Sequence, residues 1–482
     1  MSLAAVSETG GAPRRPVRPW VRLAVSAAAA LGTLLVAPRA PASAQQTTLE
    51  RITHERTLAN GLQVIVVENH AVPLATVEVV VKTGAMAQDS SDQGVPHLFE
   101  HMLFTGYRAL NDETFAQQAS ELHASYNGTT SEERVTYYLT VPSTNVDRAV
   151  AMLATLVREP RFAVDELNRE RFVVLNEMGR DLSDPREHLE REVDFNLWGT
   201  GWPRKNTLGE TVALLAASPS HLTEIFHRYY VPNNAALVVT GDVNTAKVFE
   251  WAQSRFGGWK RTPDPYVAHP VPPMPKLDSV RSLVVIGDVS DVTVEVAWQG
   301  PSVTVNRGDT YSADVLSQML SDEQSEFQKR LVESGLFQSA DLGYETLAHV
   351  GPIHFFGTTT LPNLAAALTV LQAEVTQMGS ADYFEPEELR IAAKQRRVAQ
   401  SFDLELAAAM ASEYADWWAS AGLDYYMSYG DSLSTRTPAD LAQFAQRYLS
   451  GRPYVIGVLA KQADAPSIAR MLQQYVAMTE EK

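Results

Sequence analysis

Apolar runs with strand character open two successive parts of the chain. Leu62-Gln63-Val64-Ile65-Val66-Val67 follows an Asn60-Gly61 turn pair, and Ala75-Thr76-Val77-Glu78-Val79-Val80-Val81 comes next. Runs rich in Val and Ile, bounded by turn residues, predict β-strands. The pattern then turns helical and closes on Phe226-x-x-x-Tyr230 before the apolar segment Ala236–Thr240. The same order recurs later: Leu283–Ile286, Val292–Val296, helical stretches, Phe444-x-x-x-Tyr448, then Tyr454–Leu459. Each piece is ordinary alone, but the matched order predicts an internally duplicated α+β unit. Between the copies, Tyr266–Lys276 reads YVAHPVPPMPK, with four prolines. That composition predicts an extended, semi-rigid linker at 265–276 rather than a helix. The expected fold is therefore two similar α+β domains, 45–264 and 277–482, each a mainly antiparallel sheet with helices packed on it.

The first 44 residues read differently. Arg14, Arg15, Arg18 and Arg22 precede an apolar run from Leu23 to Val36, and Ala42-Ser43-Ala44 offers a small-x-small cleavage site before Gln45. A membrane span needs about 20 apolar residues, so this run is too short. The order is that of a secretory signal peptide, and an uncleaved amphipathic tail is the other reading. The twin arginines lie far from the apolar run and precede Pro16, a weak fit to twin-arginine export. Export implies a periplasmic or secreted product. No later run reaches spanning length.

Composition narrows the chemistry. With 57 acidic and 40 basic residues the formal charge is −17. Removing 1–44 takes away Arg14, Arg15, Arg18, Arg22, Arg39 and Glu8, leaving a more acidic chain. Nucleic acid is excluded as a main partner, because phosphate binding needs clustered Lys and Arg. There is no cysteine, which excludes disulfides, Fe–S clusters, thiol catalysis and Cys-ligated zinc. Any metal site must be built from His, Asp and Glu.

One such site is legible. Residues 97–101 read His97-Leu98-Phe99-Glu100-His101. On a helix His97 and His101 share a face one turn apart, able to bind one Zn²⁺, and Glu100 lies close enough to act as general base. The order inverts H-E-x-x-H and is the inverzincin signature. The five residues also fit a helix with two structural histidines and a surface Glu. A third ligand is sought in the helical pattern Glu166–Arg180, where Leu167, Phe172, Val173, Val174 and Leu175 are apolar. Glu170 and Glu177 lie two turns apart on one face, read as opposite the apolar stripe. They equally fit two solvated glutamates.

HLFEHMLFTG followed by RERFVVLNE resembles the pitrilysin/insulinase-type metallopeptidases, which include the mitochondrial processing peptidases, over the whole chain after residue 44. The resemblance implies His97, His101 and Glu177 as ligands of one Zn²⁺ per chain and Glu100 as base. Glu177 stands 76 residues beyond His101. It also implies Glu170 as the acid supporting the site. Asn127-Gly128-Thr129-Thr130, with Tyr137 beyond, resembles the family's cleft-lining edge strand, to which a peptide adds by main-chain hydrogen bonds; it fits a plain turn into a strand as well. Asn127 and Thr129 are thus candidate substrate contacts. Upstream the chain has His123-Ala124 where the family often has a Gly pair, and His123 has no partner at ligand spacing. Arg330 matches the family's Arg that polarises the substrate carbonyl. The Tyr expected seven residues on is Phe337, and Tyr344 comes too late. The second half lacks H-x-x-E-H; its corresponding helix reads Ala313–Leu320.

The expectation is an exported zinc endopeptidase acting on peptides or unfolded segments without a covalent intermediate. The missing Tyr implies a dimer, as a heterodimer whose homologous partner supplies an Arg/Tyr pair. The other reading is a peptide-binding or assembly subunit without turnover. The aromatic group Trp417, Trp418, Tyr425, Tyr426 and Tyr429 is read as packing. His349 and His354, five apart in a β-like segment, make a poor metal pair.

Overall fold

The computed structural model describes residues 49–107, 114–402 and 404–480; the export signal expected at 1–44 lies outside them. The first half forms a six-stranded sheet in the order β1-β2-β6-β3-β5-β4. Its strands are β1 (Thr53–Thr57), β2 (Gln63–Glu68), β3 (Leu74–Val81), β4 (Ser125–Thr130), β5 (Val135–Pro142) and β6 (Ala235–Gly241). The second half forms a five-stranded sheet in the order β7-β11-β8-β10-β9. These are β7 (Arg281–Ile286), β8 (Val292–Gln299), β9 (Ser339–Tyr344), β10 (Pro352–Thr359) and β11 (Val455–Ala460). Pairing is antiparallel except β2 with β6 and β7 with β11, so both sheets share one topology and the first adds β1 at its edge.

The longer helices repeat as well. The first half has α1 (Val95–Gly106), α2 (Val146–Arg158), α3 (Val164–Leu182), α4 (Pro185–Trp198), α5 (Pro219–Tyr229) and α6 (Thr245–Phe256). The second has α7 (Arg307–Ser321), α8 (Leu364–Gln377), α9 (Pro386–Phe402), α10 (Ala407–Ser420), α11 (Leu423–Ser434), α12 (Pro438–Tyr448) and α13 (Ala465–Glu480). The duplication extends to residues: β3 and β8 both carry Thr-Val-Glu-Val, with Glu78 and Glu295 at the same place and both buried. No described helix is long and apolar enough to cross a membrane.

Strand alternation explains how the halves join. In β2, Val64 and Val66 enter the first core, where α6 packs on the strand, while Ile65 and Val67 face the other way. Both faces need cover, which is why the strand reads as a continuous apolar run. The outer cover comes from the opposite half. Met410, Tyr414 and Trp418 of α10 pack on Ile65, Val67, Val80, Ala236 and Val238 of the first sheet. Reciprocally, Leu189, Val193, Leu197 and Trp198 of α4 pack on Val285, Ala297, Val455 and Leu459 of the second. Gly457 of β11 permits that approach, since a Cβ there would collide with Val193. Trp418 and Tyr426 join the shared layer, and Tyr425 and Tyr429 enter the second core, the packing role expected of these aromatics.

The linker differs from expectation in its first turn. Pro265–Ala268 is helical, because Asp264 caps it by accepting from Tyr266 N at 2.8 Å and Pro265 occupies the first position. Proline belongs there, where no N–H is needed. Tyr266 is held as well, its ring against Tyr229 and its hydroxyl donating to Lys82 O at 2.7 Å.

A polar cluster lies beneath α4. His354 Nδ1 is 2.8 Å from Glu295 Oε1, and Nε2 is 3.7 Å from Asp194. Glu187 and Glu190 of α4 add negative charge, with Arg186, Lys205 and Glu132 nearby. Burial pulls His354 down, but Glu295, Asp194 and Glu190 outweigh it and push it up to about 9. Burial raises Glu190 to about 7, and it raises Asp194 and Glu295 too. A group whose pKa is raised on folding contributes stability below its unfolded value and loses it as pH rises through the folded one. Glu190 therefore weakens the α4–sheet contact as pH rises from 4.5 to about 7 and His354 as it rises from 6.5 to about 9, and the raised Asp194 and Glu295 act in the same direction. With chelator present, the thermal midpoint is expected to fall between pH 6 and 9, and His354→Gln should lower it at pH 6 and flatten the alkaline decline. A flat wild-type profile would contradict this.

Candidate metal centre

Helix α1 follows Gly94, whose φ of +89° turns the chain into it, and has Pro96 in its first turn. Leu98, Phe99, Met102 and Leu103 form its buried stripe. That stripe fixes the helix rotation and turns His97, Glu100 and His101 toward α3. The imidazole centroids are 5.0 Å apart.

Helix α3 brings the third donor, on a face that corrects the expected one. Leu167, Val174 and Met178 are buried, while Phe172 is 64% and Val173 42% exposed. Glu170 and Glu177 thus flank the buried stripe instead of opposing it. At 100° per residue, positions 167, 170, 174, 177 and 178 fall on one side and Phe172 on the other. The same packing that buries Leu167 and Val174 delivers both acids to α1.

The donors converge. Glu177 Oε2 lies 3.6 Å from His97 Nε2 and 3.4 Å from His101 Nε2. Ligands of a tetrahedral Zn²⁺ at ordinary bond lengths stand about 3.3–3.5 Å from one another, so the residues fit that ion. Among the described residues, these three form the one group of three or more His or acidic side chains able to share a metal. His101 Nδ1 lies 3.3 Å from Glu170 Oε2, which orients the ring with Nε2 toward Glu177, the usual support of a ligating imidazole.

Charge suits the roles. Burial and the neighbouring His101 push His97 down to about 4, keeping a neutral imidazole with a free lone pair. Burial pulls His101 down, yet Glu170 and Glu177 outweigh it and push it up to about 10, so proton and metal compete for that ring. Glu177 is held below the ordinary range, chiefly by its hydrogen bond with His101, against burial. Burial raises Glu100 despite His101 and Thr130, which favour its charged form. A carboxylate raised this way is a better proton acceptor.

Strand β4 ends the sheet and passes beside Glu100. Thr130 Oγ1 donates to Glu100 Oε2 at 2.9 Å. At Gly128 an added Cβ would meet Glu100 Cγ at 2.6 Å. Asn127 and Thr129 point to the opposite side of the pleat, and the Thr129 and Thr136 hydroxyls lie 2.8 Å apart across the sheet. The strand read from the sequence thus passes beside Glu100, and the residue on it that reaches Glu100 is Thr130, which the two-residue period places on Gly128's side. Tyr137 is buried behind Glu100, its hydroxyl 2.8 Å from that of Tyr230. His123, at φ +52°, is not in the metal group.

Arg330 is engaged within the second half. Its Nε is 2.8 Å from Glu374, and its guanidinium lies 5.4 Å from the Tyr383 ring centre. Phe337 packs against Phe355, and Tyr344 donates to Pro301 O at 3.2 Å. The counterpart of the metal centre is filled differently. Asp314 follows Glu295 by 19 residues, as His97 follows Glu78. It accepts from Tyr429 OH at 2.8 Å and lies 3.8 Å from Arg396 of α9. An Asp–Arg–Tyr set thus occupies the helix contact that in the first half presents metal donors.

Comparisons with known proteins agree with this layout. Residues 63–209 match the family model described as Insulinase (Peptidase family M16), and residues 216–396 match Peptidase M16 inactive domain. The chain is 25% identical over 406 residues to Zinc protease PqqE of Helicobacter pylori, covering 81% of this chain and 89% of that one. It is 28% identical over 204 residues to mitochondrial-processing peptidase subunit beta of Rattus norvegicus, 42% of this chain and 41% of that one. Among solved structures, a protease from Helicobacter pylori superposes with TM-score 0.75 at 22% identity, covering 85% of this chain and 99% of that one. The first half of the periplasmic protease PqqL from Escherichia coli gives 0.70 at 17% identity, covering 88% and 97%. The chain belongs to the insulinase family of zinc peptidases, family M16.

Proposed function

We propose that the protein is an exported zinc-dependent endopeptidase that cleaves peptides or unfolded segments. The observation that carries this is the convergence of His97, His101 and Glu177 with Glu100 on the same helix face. The three residues would hold one Zn²⁺, which when bound polarises the scissile carbonyl and lowers the pKa of the attacking water. Glu100 accepts that water's proton and delivers it to the leaving amine. Thr130 holds one of its oxygens and leaves the other for the water. Glu170 keeps His101 in its ligating orientation. A peptide pairs with the free edge of β4 through its main chain, a mode tolerant of many side chains. The basic and apolar order of residues 1–44 supports a periplasmic location.

The test is mass spectrometry of products from a peptide library, with and without a chelator, on protein of known zinc content. Chelator-sensitive cleavage by protein carrying one zinc per chain is expected. Bound zinc without cleavage would assign a peptide-binding or assembly role instead. The partners of Arg330 and the phenylalanine at position 337 favour a second reading about assembly: a homologous chain completes the site with its own Arg/Tyr pair in a dimer. Full activity of the chain purified alone as a monomer would refute that reading.

A further inference from the structure

The turn 131–134 between β4 and β5 carries an acid that the chemistry above does not use. Glu133 is only 2% exposed, and the hydrogen bonds to its carboxylate all come from the other half. It accepts from Ala348 N at 2.6 Å and His349 N at 2.8 Å, and lies 2.8 Å from His349 Nδ1. The next residue, Arg134, pairs with Asp416 of α10. Two consecutive residues of one turn therefore reach two separate second-half elements. The turn is also tied to its own half, with Ala85 N donating to Ser131 O at 3.2 Å and Met86 N to Glu132 O at 2.7 Å.

The receiving loop, 345–351, is braced. Val303 N donates to Leu347 O at 3.0 Å, Gly351 N to Pro301 O at 3.1 Å, and Lys205 Nζ to Val350 O at 2.6 Å. A buried carboxylate in charge-assisted hydrogen bonds to a braced loop is hard to displace. Three residues before Glu133 stands Thr130, which grips Glu100. The path from the second half to the base thus runs through one turn: loop 345–351, Glu133, β4, Thr130, Glu100.

Resting on the peptidase reading, we propose that Glu133 is a positioning residue, through which the metal-free half holds β4 and Thr130 in register against Glu100. The second half then acts on the reaction without contributing a group to it. If its loop moves away, the strand that receives the peptide and the hydroxyl that steadies the base are released together.

The test uses the full chain with zinc bound, and Glu133→Gln, which keeps the side chain's size but loses its charge and one acceptor. Hydrogen–deuterium exchange of residues 125–130 is expected to quicken about tenfold, with α1 and α3 unchanged and zinc content at the wild-type level. In peptide hydrolysis, kcat should fall about tenfold, and adding Thr130→Val should cost no more than the worse single change, as for residues acting through one path. Unchanged exchange at 125–130 in Glu133→Gln, or additive losses in the double variant, would overturn the proposal. The exchange arm needs no activity, so it judges the strut even where the chelator experiment rejects the peptidase reading.

Discussion

Glu100→Gln is expected to keep its zinc and lose its peptidase activity, with kcat lowered by about 10²–10⁴-fold, the usual contribution of a general base. Gln matches Glu in shape and can still accept from Thr130, so β4 and α1 stay in place. It cannot take a proton from water. Stability should not suffer, because burial already disfavours the charged form of Glu100. The measurement is steady-state hydrolysis beside zinc analysis and a thermal melt. Hydrolysis within about threefold of wild type would remove Glu100 from the mechanism.

Glu177→Gln should fail in a different way, by losing the metal. The Glu177 carboxylate is the one charged donor facing both His97 and His101, at 3.6 and 3.4 Å. Replacing it leaves two imidazoles and a weak amide oxygen, with no negative charge among the donors. Changing a supporting residue typically costs 10–100-fold in metal affinity, and a direct ligand should cost about 100-fold or more. Competition titration against a zinc chelator reads the affinity, and activity should return only at high added zinc. Wild-type affinity in this variant would exclude Glu177 as a ligand. The two variants separate loss of the base from loss of the metal, since only one keeps zinc.

The sequence made some of this legible and hid the rest for physical reasons. The strands β2, β3, β6, β7, β8 and β11 could be read because Val and Ile runs between turn residues have few other uses, while polar strands such as β1 and β9 carry no such run. The two histidines and Glu100 could be read because they lie about one helical turn apart, where spacing sets direction, whereas Glu177 came only with the family resemblance. The face of α3 was misread because Phe172 and Val173 are apolar yet exposed, and composition does not say which side of a helix meets its neighbour. The contact of Thr130 with Glu100 is not legible in the sequence because it depends on which side of the pleat faces α1. The helical turn at Pro265 was hidden by its prolines, which favour extended chain except at the first helical position. The exchange of α4 and α10 depends on contacts distant in sequence, and no local pattern reports them.

That exchange has a consequence for how the molecule comes into being. The outer side of the first sheet, lined by Ile65, Val67, Val80, Ala236 and Val238, is covered by a helix that begins only at Ala407. A nascent chain ending near residue 264 has therefore made every strand of its first sheet and cannot yet shield it from water. The cover arrives only when nearly the whole polypeptide is made, a contact distant in sequence of the kind that slows folding. Neither half covers the outer face of its own sheet, and an apolar face left bare in transit is where such a chain would be seized by chaperones.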